Sequence, residues 1–157
     1  MKTLLLLVGR TANPHLAALI DDYAARLKHY TTFETITIPE LRNTKSLTPD
    51  QQKQAEGQLI LRQLQPADHL VLLDERGLTL RSTQFAQWLQ RKHNTTTRRL
   101  VFLIGGPYGF SPQVYARAND QLSLSPMTFS HQMVRLIFTE QLYRAFTILN
   151  NEPYHHE

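Results

Sequence analysis

No cysteine occurs among the 157 residues, so disulfides and cysteine-based metal sites are excluded. That suits a cytoplasmic protein. Long hydrophobic runs are missing too. The run near the start, Leu4–Val8, is far too short for a signal sequence or a membrane span, so no membrane partner is expected. Phosphate fingerprints are also absent. There is no G-x-G-x-x-G after a first strand and no glycine loop ending in Lys-Ser or Lys-Thr, which disfavours ordinary dinucleotide or nucleoside-triphosphate binding. No G-x-S-x-G elbow surrounds Ser111, and serine at a helix start is far more often a cap than a nucleophile. The seven histidines do not fall at metal spacings, and His155-His156 are at most a weak pair, so no metal is expected. Hydrolase and metalloenzyme readings are rejected on these grounds. Repeats, low-complexity stretches and linkers are absent, which leaves residues 1–157 as one domain.

Apolar residues at 41% and charged residues at 19% fit a folded globular chain. The balance is basic, with 17 Lys and Arg against 13 Asp and Glu, and 12 of the 17 are arginine. Arginine's planar fork suits phosphate, so RNA is a permitted partner, although many proteins that bind no nucleic acid are equally basic. The pattern predicts strands at Leu4–Val8, Phe33–Ile38, Leu70–Leu73, Leu100–Ile104 and Gln121–Ser125. Between them lie helices starting at Asn13-Pro14, at Thr48-Pro49-Asp50-Gln51, at Ser82 as cap, and at Ser111-Pro112. A last helix covers Met133–Asn150, and a polar tail follows. This alternation predicts α/β with a largely parallel sheet flanked by helices. The last helix is apolar around well over half its circumference, which implies a second partner surface, most simply another copy of the chain.

Leu100–Phe110 is the centre of the functional argument. An apolar strand stops at Gly105, Gly106 and Gly109 and feeds a helix, the place where open α/β sheets bind ligands. Leu73 closes the preceding strand in this group, and Ser125-Pro126-Met127-Thr128-Phe129 follows the next. Three strand ends of small and apolar residues would wrap an apolar, hydrogen-bonding ligand such as an adenosine, with backbone groups making most polar contacts. Arg135 interrupts the most apolar helix and calls for a partner or a ligand. Tyr154, His155 and His156 combine a stacking surface with titratable donors, which suits an unstacked RNA base.

Leu103-Ile-Gly-Gly-Pro-x-Gly-Phe-Ser-Pro112, Leu122-Ser-Leu-Ser125, His131-x-x-Val-Arg135, Glu140-Gln-Leu-Tyr-Arg-Ala145 and Asn151-x-Pro-Tyr-His155 together resemble the RlmH family, ribosomal large-subunit pseudouridine methyltransferases of the SPOUT superfamily. The resemblance covers essentially the whole chain. It implies a C-terminal trefoil knot, a homodimer through the C-terminal helix, and S-adenosylmethionine held at Leu73, Gly105 and Leu124–Phe129. It also implies methylation of N3 of a pseudouridine, position 1915 in the helix 69 loop of 23S rRNA, on the assembled 70S ribosome. Arg135 would stabilise the anionic base or hold a phosphate. Tyr154 and His155 would cover and orient the base, with His155 a candidate proton acceptor. Family tails commonly continue with Arg or Lys where this chain has His156. Two other readings compete with catalysis: a non-catalytic ribosome- or RNA-binding α/β dimer, and a small-molecule-binding dimer unrelated to RNA.

Overall fold

The computed structural model describes residues 2–95 and 98–156; Glu157, the end of the tail, lies outside them. Five strands, Lys2–Val8 (β1), Thr32–Ile38 (β2), His69–Thr79 (β3), Arg99–Ile104 (β4) and Asp120–Ser123 (β5), form one parallel sheet in the order β2-β1-β4-β3-β5. Both faces are covered, which is why its central strands read as unbroken apolar runs. Side chains alternate across β1 and β4. Leu5, Leu7, Leu100, Phe102 and Ile104 face one core, while Leu4, Leu6, Val8, Val101 and Leu103 face the other. Helices Pro14–Leu27 (α1), Ser82–Thr95 (α3) and Met133–Leu149 (α5) close the first core through Leu27, Trp88, Leu89, Phe138, Leu142 and Phe146. Helices Pro49–Gln63 (α2) and Pro112–Arg117 (α4) close the second through Ile60 and Val114.

The helix starts follow their local chemistry. The Asn13 side chain accepts from the backbone of His15 and Leu16 at α1, and Thr48 with Gln51 forms a complete capping box at α2. Ser111 caps α4 by accepting from the Val114 N–H, so its hydroxyl is a buried structural group. Ser82 is not a cap. The Phe85 N–H donates to the Arg81 carbonyl, which puts the cap one residue earlier, and the Ser82 hydroxyl donates to Gln141 of α5 at 2.8 Å. The strand expected to stop at Leu73 also continues to Thr79. After an irregularity between Leu73 and Leu78 it pairs again with β5. Gly77 permits this, because a Cβ there would sit 2.6 Å from the Gln121 carbonyl carbon.

Helix α5 lies on the sheet between α1 and α3 and buries Phe138, Leu142, Ala145 and Phe146 within its own chain. Much of its wide apolar surface is therefore spent internally. Leu136, Ile137, Tyr143, Ile148 and Leu149 are half-buried, and Met133 is exposed, as is Leu19 of α1. Among the described residues, no helix is long and apolar enough to cross a membrane.

Candidate active site

The C-terminal ends of β4 and β5 and the irregular segment of β3 from Leu73 to Arg76, on three neighbouring strands, open into a cleft of about 760 Å³. That size suits a nucleoside-sized ligand. Leu73, Gly105, Leu124, Ser125, Met127, Thr128 and Phe129 line it, as expected from the sequence. Pro126 lies in the same loop but is not part of the wall. The glycine turn is tight: the Gly109 N–H donates to the Gly106 carbonyl at 3.2 Å. Gly109 has φ of +81° with open space where a Cβ would point, so backbone conformation alone requires glycine there. At Gly105 the reason is packing, since a Cβ would fall 2.7 Å from Cε1 of Phe110.

The opposite wall is a serine-built turn. Ser123 Oγ donates to the Ser125 carbonyl at 2.9 Å, and Ser125 Oγ accepts from the Met127 N–H at 3.0 Å. Thr128 Oγ1 then donates to Glu75 Oε2 at 2.8 Å, joining this loop to the strand end across the mouth of the cleft. Asp74, Glu75, Arg76 and Tyr115 also line the cleft, although the sequence reading did not name them as site residues. Tyr115 donates to Asp74, and burial followed by that contact pushes its phenol up. Asp74-Glu75 directly after Leu73, at a strand's carboxyl end, was the available signal.

The other three sequence candidates are not in the cleft wall. Arg135 is fully buried, and its guanidinium donates to the carbonyls of Val8 at 2.7 Å, Gly9 at 2.8 Å and His131 at 3.1 Å, and to Thr11 Oγ1 at 3.1 Å. The partner its position called for is thus backbone at the end of β1. Burial pushes its pKa down, and Glu40 counters that. Tyr154 donates to Glu140 Oε1 at 3.0 Å and lies 3.3 Å from the Tyr23 hydroxyl; burial first, then these contacts, raise its phenol well above the usual range. Arg144 stacks over the Tyr154 ring at 4.9 Å, and its Nη1 meets His155 Nδ1 at 3.0 Å. Arginine is only a donor, so His155 Nδ1 accepts at this contact.

The residues lining the cleft lie between Leu73 and Val134, and comparison with known proteins extends over nearly the whole chain. The family model described as "Predicted SPOUT methyltransferase" matches residues 1–155. The chain belongs to the SPOUT methyltransferase family. Within it, the chain is 61% identical to "Ribosomal RNA large subunit methyltransferase H" of Bacteroides thetaiotaomicron over 157 residues, covering 100% of both chains. The proteins of the same name from Phocaeicola vulgatus and Bacteroides fragilis are each 59% identical, again over 100% of both chains.

Proposed function

We propose that this SPOUT methyltransferase uses S-adenosylmethionine to methylate N3 of a pseudouridine, position 1915 of 23S rRNA, on the 70S ribosome in the cytoplasm. The cleft carries this reading: its volume, its half-buried Leu124, Phe129 and Val134 and the turns at 105–109 and 125–128 that line it fit an adenosine-bearing ligand. The bound donor would supply an electrophilic methyl carbon on a sulfonium, so neither a metal nor a covalent nucleophile is required. In the transfer the S–CH3 electron pair would stay on sulfur, and N3, after losing its proton to solvent, would use the freed electron pair for the new N–CH3 bond. The protein's contribution is alignment and water exclusion. The glycine turn and the Ser125–Thr128 turn hold the donor from two sides, Leu73 closes its floor, and Arg135 fixes the start of α5 against β1.

The tail belongs to a second half of the site. Val134 lines the cleft, whereas Tyr154 and His155 are tied to Glu140 and Arg144 on the same helix. At 1.5 Å rise per residue those anchors lie about 9 and about 15 Å further along α5. Transfer needs reacting atoms within about 3.5 Å. A homodimer formed by the apolar residues that α5 and α1 leave uncovered would bring Tyr154 and His155 to the base at the cleft of a second copy. In that role Tyr154 and His155 cover and orient the base, held by Glu140 and Arg144. The family's knotted C-terminal threading is part of the same proposal.

Labelled methyl transfer to isolated subunits, whole ribosomes and free rRNA tests the reading. Transfer to whole ribosomes is expected. No transfer to any of them, together with no donor binding by calorimetry, refutes it. A non-catalytic RNA-binding dimer would have no use for the cleft.

A further inference from the structure

The carboxylates at the mouth of the cleft have unequal surroundings. Asp74 is matched: its side chain is only 8% exposed, Arg76 Nε lies 4.0 Å away and Tyr115 donates to it. Glu75 is not matched by any cation among the described residues. Its hydrogen-bond partner is the neutral Thr128 hydroxyl, which reaches across from the loop on the far side of the cleft. Glu75 thus presents an uncompensated negative charge at the cleft, held in place by the wall that closes it.

Methyl transfer changes the charge of the ligand. The donor carries a positive sulfonium, and the product is a neutral thioether of nearly the same shape. A cleft that recognises only the adenosine and amino-acid parts would hold the two alike, and the product would compete with fresh donor. A fixed negative charge separates them, because it attracts the sulfonium and has no such attraction for the thioether.

We infer that Glu75, positioned by Thr128, favours the sulfonium donor over its thioether product at this cleft. The inference rests on the proposed use of S-adenosylmethionine. Calorimetry with S-adenosylmethionine and S-adenosylhomocysteine tests it on the full-length protein. Glu75→Gln keeps the shape and the acceptor for Thr128 but removes the charge. It is expected to weaken the donor relative to the product by about two- to fivefold, the range for an exposed charge pair. Glu75→Asp retains most of the wild-type ratio, and Thr128→Val shifts it in the same direction as Glu75→Gln by less. The wild-type ratio itself moves toward the Glu75→Gln value as salt is raised. An unchanged ratio in Glu75→Gln, or equal weakening of both ligands, overturns the inference while leaving the proposed donor intact. Failure of the wild type to bind either compound overturns both.

Discussion

Replacing Arg135 with methionine separates an architectural arginine from a catalytic one. The guanidinium makes four hydrogen bonds, three of them to main-chain carbonyls, and the side chain has no exposed surface. Methionine fills a similar volume but donates nothing, so the Val8 and Gly9 carbonyls lose a charged donor inside the protein. Each stranded acceptor costs about 1–3 kcal/mol. Against that, a costly buried charge is removed and an apolar chain takes its place, which returns part of the loss. The net expectation is destabilisation of about 3 kcal/mol, with a melting temperature lower by about 6–12 °C for a chain of this size. Arg135→Lys keeps the charge and some of the bonds and should fall between. Urea unfolding, followed through the single buried Trp88 at fixed protein concentration, reads the change as a lower midpoint at constant slope. A loss under about 1 kcal/mol with turnover abolished in the folded variant would refute the reasoning, because Arg135 would then be acting on the substrate.

Gly105→Val should lose donor binding and also lower stability, because its Cβ meets the buried Phe110 ring at 2.7 Å; calorimetry and unfolding read the two effects, and normal donor affinity would dismiss Gly105 as a wall of the site. The Asp68 carboxyl is fully buried and receives Arg99 at 2.6 and 2.8 Å; burial alone would raise its pKa, but the hydrogen bonds from Arg99 and the Gln65 N–H outweigh it and hold it below the usual range. Stability from this pair is complete above the unfolded carboxylate pKa of about 4 and is lost as pH falls through the lower folded value. Asp68→Asn should cost about 2–3 kcal/mol at pH 7 and flatten the acid side of the stability profile; an unaltered profile counts against the pair. His156→Arg should tighten ribosome binding at low salt more than at high salt, and equal affinity across the salt range would exclude a phosphate contact.

The parts legible in the sequence are those set by neighbours along the chain. Leu4–Val8 and Leu100–Ile104 read as strands because both of their faces are buried, and Asn13, Thr48 and Ser111 read as caps because each bonds within three residues. The cleft was legible too, since a parallel sheet presents consecutive strand ends on one edge. What failed depended on contacts across the fold. Leu78 and Thr79 lie beyond the strand expected at Leu70–Leu73, and it is pairing with Leu122 and Ser123 of β5 that carries β3 so far. Arg135 called for a partner or a ligand, but which one was not legible, because the carbonyls that satisfy it lie more than 120 residues earlier and leave no trace in side-chain pattern. Tyr115 joins the cleft through Asp74, 41 residues away.

A mixed dimer decides whether the tail serves its own cleft. One chain carries Ser125→Trp, which fills the cleft wall and leaves residues 154–157 intact. The other lacks residues 154–157 but keeps the cleft, so its donor affinity should stay near wild type. Each homodimer is inactive whichever way the tail works. If the tail reaches the partner's cleft, the mixed dimer joins the sound cleft of one chain to the sound tail of the other and has one working site of two. Random pairing of equal amounts makes about half the dimers mixed, so about a quarter of the wild-type rate should return on co-expression. If the tail served its own cleft, no pairing could restore activity, since every cleft would lack either space or tail. The distances along α5 predict recovery. Co-expressed chains that form mixed dimers yet remain inactive would refute the composite site and assign the tail to the cleft of its own chain.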